Sequence, residues 1–122
     1  MIGYFDDRYQ PKLDIYLLAK RQKIKVEALI DTGFSGELCL PKSLICGLDL
    51  KLIDTTLAEL ANGDLVEFNI YKIKIIWDNK VKEAAVFDTN SEEALIGTGL
   101  LSDKLLIVNF ANQQITISGV KK

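Results

Sequence analysis

The sequence contains no histidine. Ser-His-Asp and Cys-His catalysis both need an imidazole base, so both are excluded. Zinc sites that use histidine go with them, and two cysteines cannot complete a four-cysteine site alone. Cys39 and Cys46 do not have a metal-site spacing. Both lie among leucines and isoleucines, and they read as small buried hydrophobes kept reduced. No charge of one sign dominates: 15 Lys and Arg stand against 17 Asp and Glu, mixed along the chain, for a net charge of −2. No field for DNA or RNA follows, and no nucleic-acid partner is expected. The one basic cluster, Lys20, Arg21, Lys23 and Lys25, reads as a solvated turn and strand face. No apolar run approaches the ~20 residues that span a bilayer, so no membrane partner is expected. Met1 to Pro11 carries Asp6, Asp7 and Arg8 without an apolar stretch, which argues against a secretory signal and for a cytoplasmic location. Low-complexity segments and linkers are absent as well.

What remains must work with carboxylates, hydroxyls, amines and backbone. Apolar residues make up 48% of the 122, enough to fill one core, and charged residues 26%, close to the globular average. One domain over residues 12–122 is expected, preceded by a polar arm over 1–11. Leu13, Ile15 and Leu17 alternate with polar neighbours. After a short turn, Ile24, Val26, Ala28 and Ile30 take one face and Lys23, Lys25 and Glu27 the other. A period of two marks a half-buried strand pair. Glu37 to Leu40 reads as a short strand. Pro41 can open a helical turn running to Cys46, which Gly47 ends. Leu52–Leu60 and Leu65–Ile70 flank Asn62-Gly63, a hairpin signal whose two turn positions would need positive φ. Lys72–Trp77 and Val81–Phe87 are two further strands joined across Asp78-Asn79. Leu95-Ile96-Gly97 precedes a short helix near Leu100 to Lys104, and Leu106–Phe110 and Gln114–Ile117 make a last hairpin. The fold class expected is mainly β, a closed or nearly closed barrel with one or two short helices. Ile24, Val26, Ala28, Ile30, Leu95, Ile96 and Leu106 are its expected core.

One strand ends in chemistry. Ala28-Leu29-Ile30 runs straight into Asp31-Thr32-Gly33. Asp-Thr-Gly alone is an ordinary turn, because Asp and Gly favour turns for separate reasons. At the end of a buried strand, however, its carboxylate sits at the edge of a core, and that is costly unless it is paired or hydrogen-bonded. A second signal, Ala94-Leu95-Ile96-Gly97, lies far down the chain. Gly97-Thr98-Gly99 fails as a dinucleotide loop, since Ser102 stands where a third glycine belongs, and no phosphate loop exists.

Asp31-Thr32-Gly33, the Asn62-Gly63 hairpin and Leu95-Ile96-Gly97 occur in the order and spacing of a retroviral-type aspartic peptidase subunit. The chain resembles these retropepsin-like, single-lobe peptidases over most of its length. The string Asp31-Thr32-Gly33-Phe34-Ser35-Gly36-Glu37-Leu38, followed by Leu40-Pro41, is similar to the small single-domain kind of bacteria and archaea. Two departures stand out. Retroviral subunits have Ala and then Asp after Asp-Thr-Gly, where this chain has Phe34 and Ser35. They have Arg after the second glycine, where it has Thr98. Both partners of that ion pair are absent together, so no charge is orphaned.

The resemblance implies a retropepsin-like acid-protease β-barrel acting as a homodimer on a peptide or protein substrate, with no metal and no organic cofactor. Asp31 is the implied acid and base, one from each chain. Thr32 would hold the two loops across the dimer axis, and Gly33 would let backbone approach the carboxylates. Ser35 and Gly36 would hold substrate backbone, and Ala61, Asn62, Gly63 and Asp64 would form the flap tip over it. Gly97 would pack under the Asp31 loop as structural support. Two other readings stay open on the sequence: a retropepsin-like dimerisation or peptide-binding module without proteolysis, and a small β-barrel adaptor whose motifs are chance.

Overall fold

The computed structural model describes residues 1–59 and 61–120. Among the described residues, ten strands and two short helices follow one another. β1 (Ile2–Phe5), β2 (Pro11–Ala19), β3 (Gln22–Ile30) and β4 (Leu38–Pro41) come first, then helix α1 (Lys42–Cys46). β5 (Lys51–Glu59), β6 (Leu65–Trp77), β7 (Lys80–Thr89) and β8 (Ala94–Ile96) follow, then helix α2 (Thr98–Leu101) and the hairpin β9 (Lys104–Asn109) and β10 (Gln114–Gly119).

The strands form one sheet ordered β5-β6-β7-β4-β8-β3-β2-β1-β10-β9, and β6 also pairs with β2. That extra pairing closes β6, β7, β4, β8, β3 and β2 into a barrel. β5 extends beyond it as the outer arm of a hairpin with β6. β1, β10 and β9 form a small sheet attached through β2. The N-terminal residues are therefore woven into the fold. Met1 donates its ammonium to the Ile117 carbonyl at 2.6 Å, and Ile117 N–H returns a bond to Met1 at 2.8 Å.

The period of two sets which side chains fill the barrel. Leu13, Ile15 and Leu17 of β2 are buried, and each faces a partner on β3: Ala28, Val26 and Ile24. Leu38 and Leu40 of β4 are fully covered, and the residues between and after them are buried as well. β4 lies between β7 and β8, and such a central strand reads as an unbroken apolar run rather than an alternation. Ile73, Ile75 and Trp77 complete the barrel interior from β6.

Several expectations shift in detail. Ala28, Ile30 and Ile96 are buried as expected, whereas Ile24, Val26 and Leu106 are only half-buried on the core face. Leu95 stands on the opposite face from its buried neighbours Ala94 and Ile96, because adjacent residues of a strand cannot share a face. The two strands expected over 65–77 are one, β6, which runs from the outer hairpin into the barrel. The second helix begins at Thr98, and Lys104 already belongs to β9.

The turns also differ. Lys20-Arg21 (φ 51° and 60°) and Asp78-Asn79 (φ 53° and 63°) are the two-residue turns with both positions left-handed. Asn62-Gly63 lies in a longer loop between Glu59 and Leu65, among whose described residues only Gly63 has positive φ, at 88°. There Asn62 Oδ1 accepts the Asp64 N–H at 3.0 Å, so the asparagine serves as a side-chain turn former. The basic cluster is the Lys20-Arg21 turn and the outward face of β3. Lys20 reaches Asp49 at 3.3 Å, and Lys23 sits over the Tyr16 ring at 4.5 Å. Among the described residues, no helix is long and apolar enough to cross a membrane.

The cysteines part company. Cys39 is buried in β4, but Cys46 is exposed on the outer side of α1. Burial, reinforced by the Asp88 carboxylate, pushes the Cys39 thiol up to about 11. At pH 8.5 the Cys39 thiol then stays almost wholly protonated, before its burial is counted. Iodoacetamide at that pH should label one site in the folded protein, Cys46, and a second only in denaturant, as read by mass spectrometry. Equal labelling of both thiols in the folded chain would contradict this placement.

Candidate active site

The site is built where two chain segments cross at one end of the barrel. β3 runs parallel to β8, pairing Ile30 with Ile96, and β8 runs antiparallel to β4. The chain leaving β3 turns over at Asp31-Thr32-Gly33 and returns through Phe34 to Glu37 into β4. The chain leaving β8 passes beneath it as Gly97-Thr98-Gly99.

Backbone bonds lace the two segments together. Asp31 N–H donates to the Ile96 carbonyl at 2.9 Å, Gly97 to Glu37 at 3.0 Å, Thr98 to Phe34 at 2.8 Å and Gly99 to Gly36 at 3.0 Å. The Thr98 hydroxyl adds a longer bond to the Phe34 carbonyl at 3.4 Å. The crossing is so close that glycine is required. A Cβ on Gly97 would overlap the Gly36 carbonyl oxygen and stand 2.6 Å from the Phe34 oxygen. A Cβ on Gly99 would stand 2.9 Å from the same Gly36 carbonyl group.

Asp31 is half-buried, and Thr32 and Gly33 are exposed. Asp31 Oδ1 accepts the Gly33 N–H at 2.9 Å, and the Asp31 carbonyl accepts the Phe34 N–H at 3.1 Å. These bonds hold the carboxylate in a fixed orientation at the surface of the turn, with no donor to its other oxygen among the described residues. Ser35 is exposed and Gly36 half-buried. Both line a cleft of about 740 Å³ that begins at Gly33. From the β5–β6 hairpin, Ala58, Glu59 and Phe68 reach this cleft. The loop residues Ala61, Asn62, Gly63 and Asp64 are exposed at the hairpin's far end, beyond the cleft lining.

Three features of the site are not apparent from the motif. The Phe34 ring lies in the cleft, edge-on to Phe87 with centroids 5.7 Å apart, and Phe68 packs on Phe87 at 6.4 Å. An aromatic residue directly after Asp-Thr-Gly was the available signal for this. Leu95, expected in the core, lines the cleft instead. Glu37 braces the loop: its Oε1 accepts the Ala85 N–H at 3.0 Å, and Oε2 lies 3.8 Å from Lys82. β4 pairs with β7 only from Leu38 onward, so the Glu37 carboxylate supplies the acceptor that β4 would have offered one residue earlier.

These features define a retropepsin-like single-lobe fold with an Asp-Thr-Gly turn at the mouth of an apolar cleft. Solved structures agree on the fold. A retropepsin-like aspartic protease from Rickettsia conorii superposes with a TM-score of 0.68 at 12% identity, over 98% of this chain and 92% of that one. The EIAV protease, solved with the inhibitor HBY-793, gives 0.64 at 15% identity over 81% of this chain and 91% of its own. The simian foamy virus protease gives 0.55 at 21% identity, over 75% and 91%. No family model and no curated protein sequence matches the chain.

Gly97→Ala tests the crossing. The new methyl meets backbone atoms, which cannot swing aside as a side chain would. The cost should lie at the upper end of the roughly 1–3 kcal/mol typical of overpacking, or beyond it. Urea unfolding should show the loss. A variant as stable as wild type would mean that the segments do not cross this closely.

Proposed function

We propose that this chain is an aspartic endopeptidase that hydrolyses peptide bonds as a homodimer, with Asp31 of each chain forming the catalytic pair around one water. The observation that carries the reading is the Asp31 turn itself. Its carboxylate is oriented by the Gly33 N–H on a turn laced from below by backbone bonds, and the cleft begins at Gly33 of that same turn. A fold does not fix a function, so the reading rests on this local chemistry.

Peptide hydrolysis by carboxylates needs two of them. One takes a proton from the water as it attacks the scissile carbonyl, and the other, protonated, donates to the carbonyl oxygen. The resulting tetrahedral diol collapses as a proton passes to the leaving nitrogen. Two carboxyl groups this close cannot both ionise, so they share a proton and titrate as a pair. One chain supplies one such motif, and a two-fold axis beside Asp31 supplies the other. The exposure of Thr32 suits it to hydrogen-bond across that axis and fix the two turns relative to each other. An extended peptide would lie between the turns and the β5–β6 hairpin as an added strand. Ser35 and Gly36 would bond its backbone from the floor, and the loop 61–64 would close over it.

Asp31→Asn is the direct test. Asn keeps the shape and can still accept the Gly33 N–H, but it cannot serve as base or proton donor. The variant should fold with unchanged unfolding midpoint and bind peptide, while cleavage of a peptide library falls to background. Cleavage at the wild-type rate would remove Asp31 from the reaction. A wild-type protein that binds peptides without cutting any would leave a peptide-binding module in place of an enzyme.

A further inference from the structure

We propose that Phe34 is a specificity-determining residue, which with Phe68 and Phe87 walls a pocket that selects a large aromatic or branched apolar side chain of the peptide. This rests on the peptidase reading above and concerns the same cleft.

The ring's seat is unusually well fixed. A Cβ on Gly36 would stand 2.5 Å from Phe34 Cζ, and one on Gly97 would stand 2.6 Å from its Cδ2. The phenyl group therefore fills the space that a Cβ would take at both positions, and both must be glycine for it to keep this seat. From there it meets Phe87 edge-on, at an interplanar angle of 84°. Phe87 in turn meets Phe68 on the β5–β6 hairpin at 56°. Three rings thus run in contact from the floor beside Asp31, up the wall on β7, to the covering hairpin. Each is only half-buried, so each still has apolar surface to cover. Leu95 and Ala58 extend the apolar lining.

The chemistry of the lining states what it takes. The space of about 740 Å³ is ample for a bulky side chain beside its backbone. Ring edges and faces favour another aromatic group in tilted or edge-on contact. Among the described residues, the one charged member of the lining is Glu59, and the Cys39 thiol stays protonated at neutral pH. With no cation to receive it, an acidic substrate side chain is disfavoured.

The test compares full-length wild type, Phe34→Ala and Phe34→Leu on a peptide library. Each position flanking the scissile bond is varied in turn through Ala, Leu, Phe, Trp and Glu, and kcat/KM is read for each. At one position wild type should favour Phe and Trp over Ala and reject Glu. Both variants should lose roughly 2- to 10-fold of the aromatic-over-leucine preference at that position alone, the size of one lost ring–ring contact. Preferences elsewhere should hold. If Phe34→Ala does not fold, Phe34→Leu and Phe87→Leu keep apolar bulk while removing a ring from either side of the same pocket. Unchanged preference in folded variants overturns the inference, as does an equal loss on every peptide, which would make Phe34 a support for the loop only. Wild type that cuts no library member overturns the peptidase reading and this inference with it.

Discussion

The structure depends on one close crossing, where the loop from Asp31 to Glu37 is laced by backbone hydrogen bonds onto the segment from Ile96 to Gly99. Each bond joins groups that the crossing would otherwise bury unpaired, and an unpaired buried amide or carbonyl costs about 1–3 kcal/mol. The bonds can form only if the two backbones approach within the space a methyl group would fill. Gly97 and Gly99 are therefore fixed by sterics, and not by any need for unusual dihedral angles, while at Gly36 the Phe34 ring takes the space a Cβ would fill. The crossing ties strands distant in sequence, β3, β4 and β8, into one rigid corner. The proposed reactive carboxylate stands on that corner. Rigidity there would serve the proposed carboxylate pair, which works only if its geometry is set before substrate arrives.

The remainder of the chain divides around that corner. The barrel below it is apolar and closed, with Ile15, Leu17, Ile75 and Ile96 fully out of water. The β5–β6 hairpin above it is open, and Leu57 and Leu65 remain exposed near its end. In the proposed reading this hairpin would cover a peptide, and such an element is drawn from the less tightly packed part of a fold. The terminal strands are committed elsewhere. β1 pairs with β10, and β10 with β9, within the same chain. These strands therefore do not need a partner chain to complete their sheet. Any dimer that unites two Asp31 turns has fewer strand pairings to draw upon than one whose termini interleave.

Much of the fold could be read from spacing alone, because one face of most strands is buried and a slip of one residue would expose it. Leu13, Ile15 and Leu17 announced β2, and Lys23, Lys25 and Glu27 announced the outer face of β3. The Asp-Thr-Gly strand end and the Leu95-Ile96-Gly97 strand end each marked one side of the crossing. What escaped has physical reasons. No glycine or proline interrupts residues 65–77, so nothing local said whether they were one strand or two; pairing with β5, β7 and β2 decided it. Lys20-Arg21 adopts a left-handed turn that neither residue prefers, because the register of β2 and β3 leaves two residues to reverse the chain. Cys46 lies in an apolar-looking string, yet a helix of five residues has only one inward position to offer, and Ile45 takes it. The seat of the Phe34 ring depends on glycines at 36 and 97, a coincidence in space that only the folded chain creates.

The central claim is that each chain holds half of a shared site. Specific activity measured over a dilution series, beside sedimentation at the same concentrations, tests it most directly. The account predicts a symmetric dimer whose activity per chain falls as dilution takes it through the dimer dissociation constant, with Thr32→Ala moving that fall to higher concentration. Loss of a hydrogen bond near a charged group, worth about 1.5–3 kcal/mol, would move it roughly ten-fold or more. A chain that stays monomeric throughout, and cleaves peptide at a constant rate per molecule, would contradict the shared site and require a second carboxylate from the same chain.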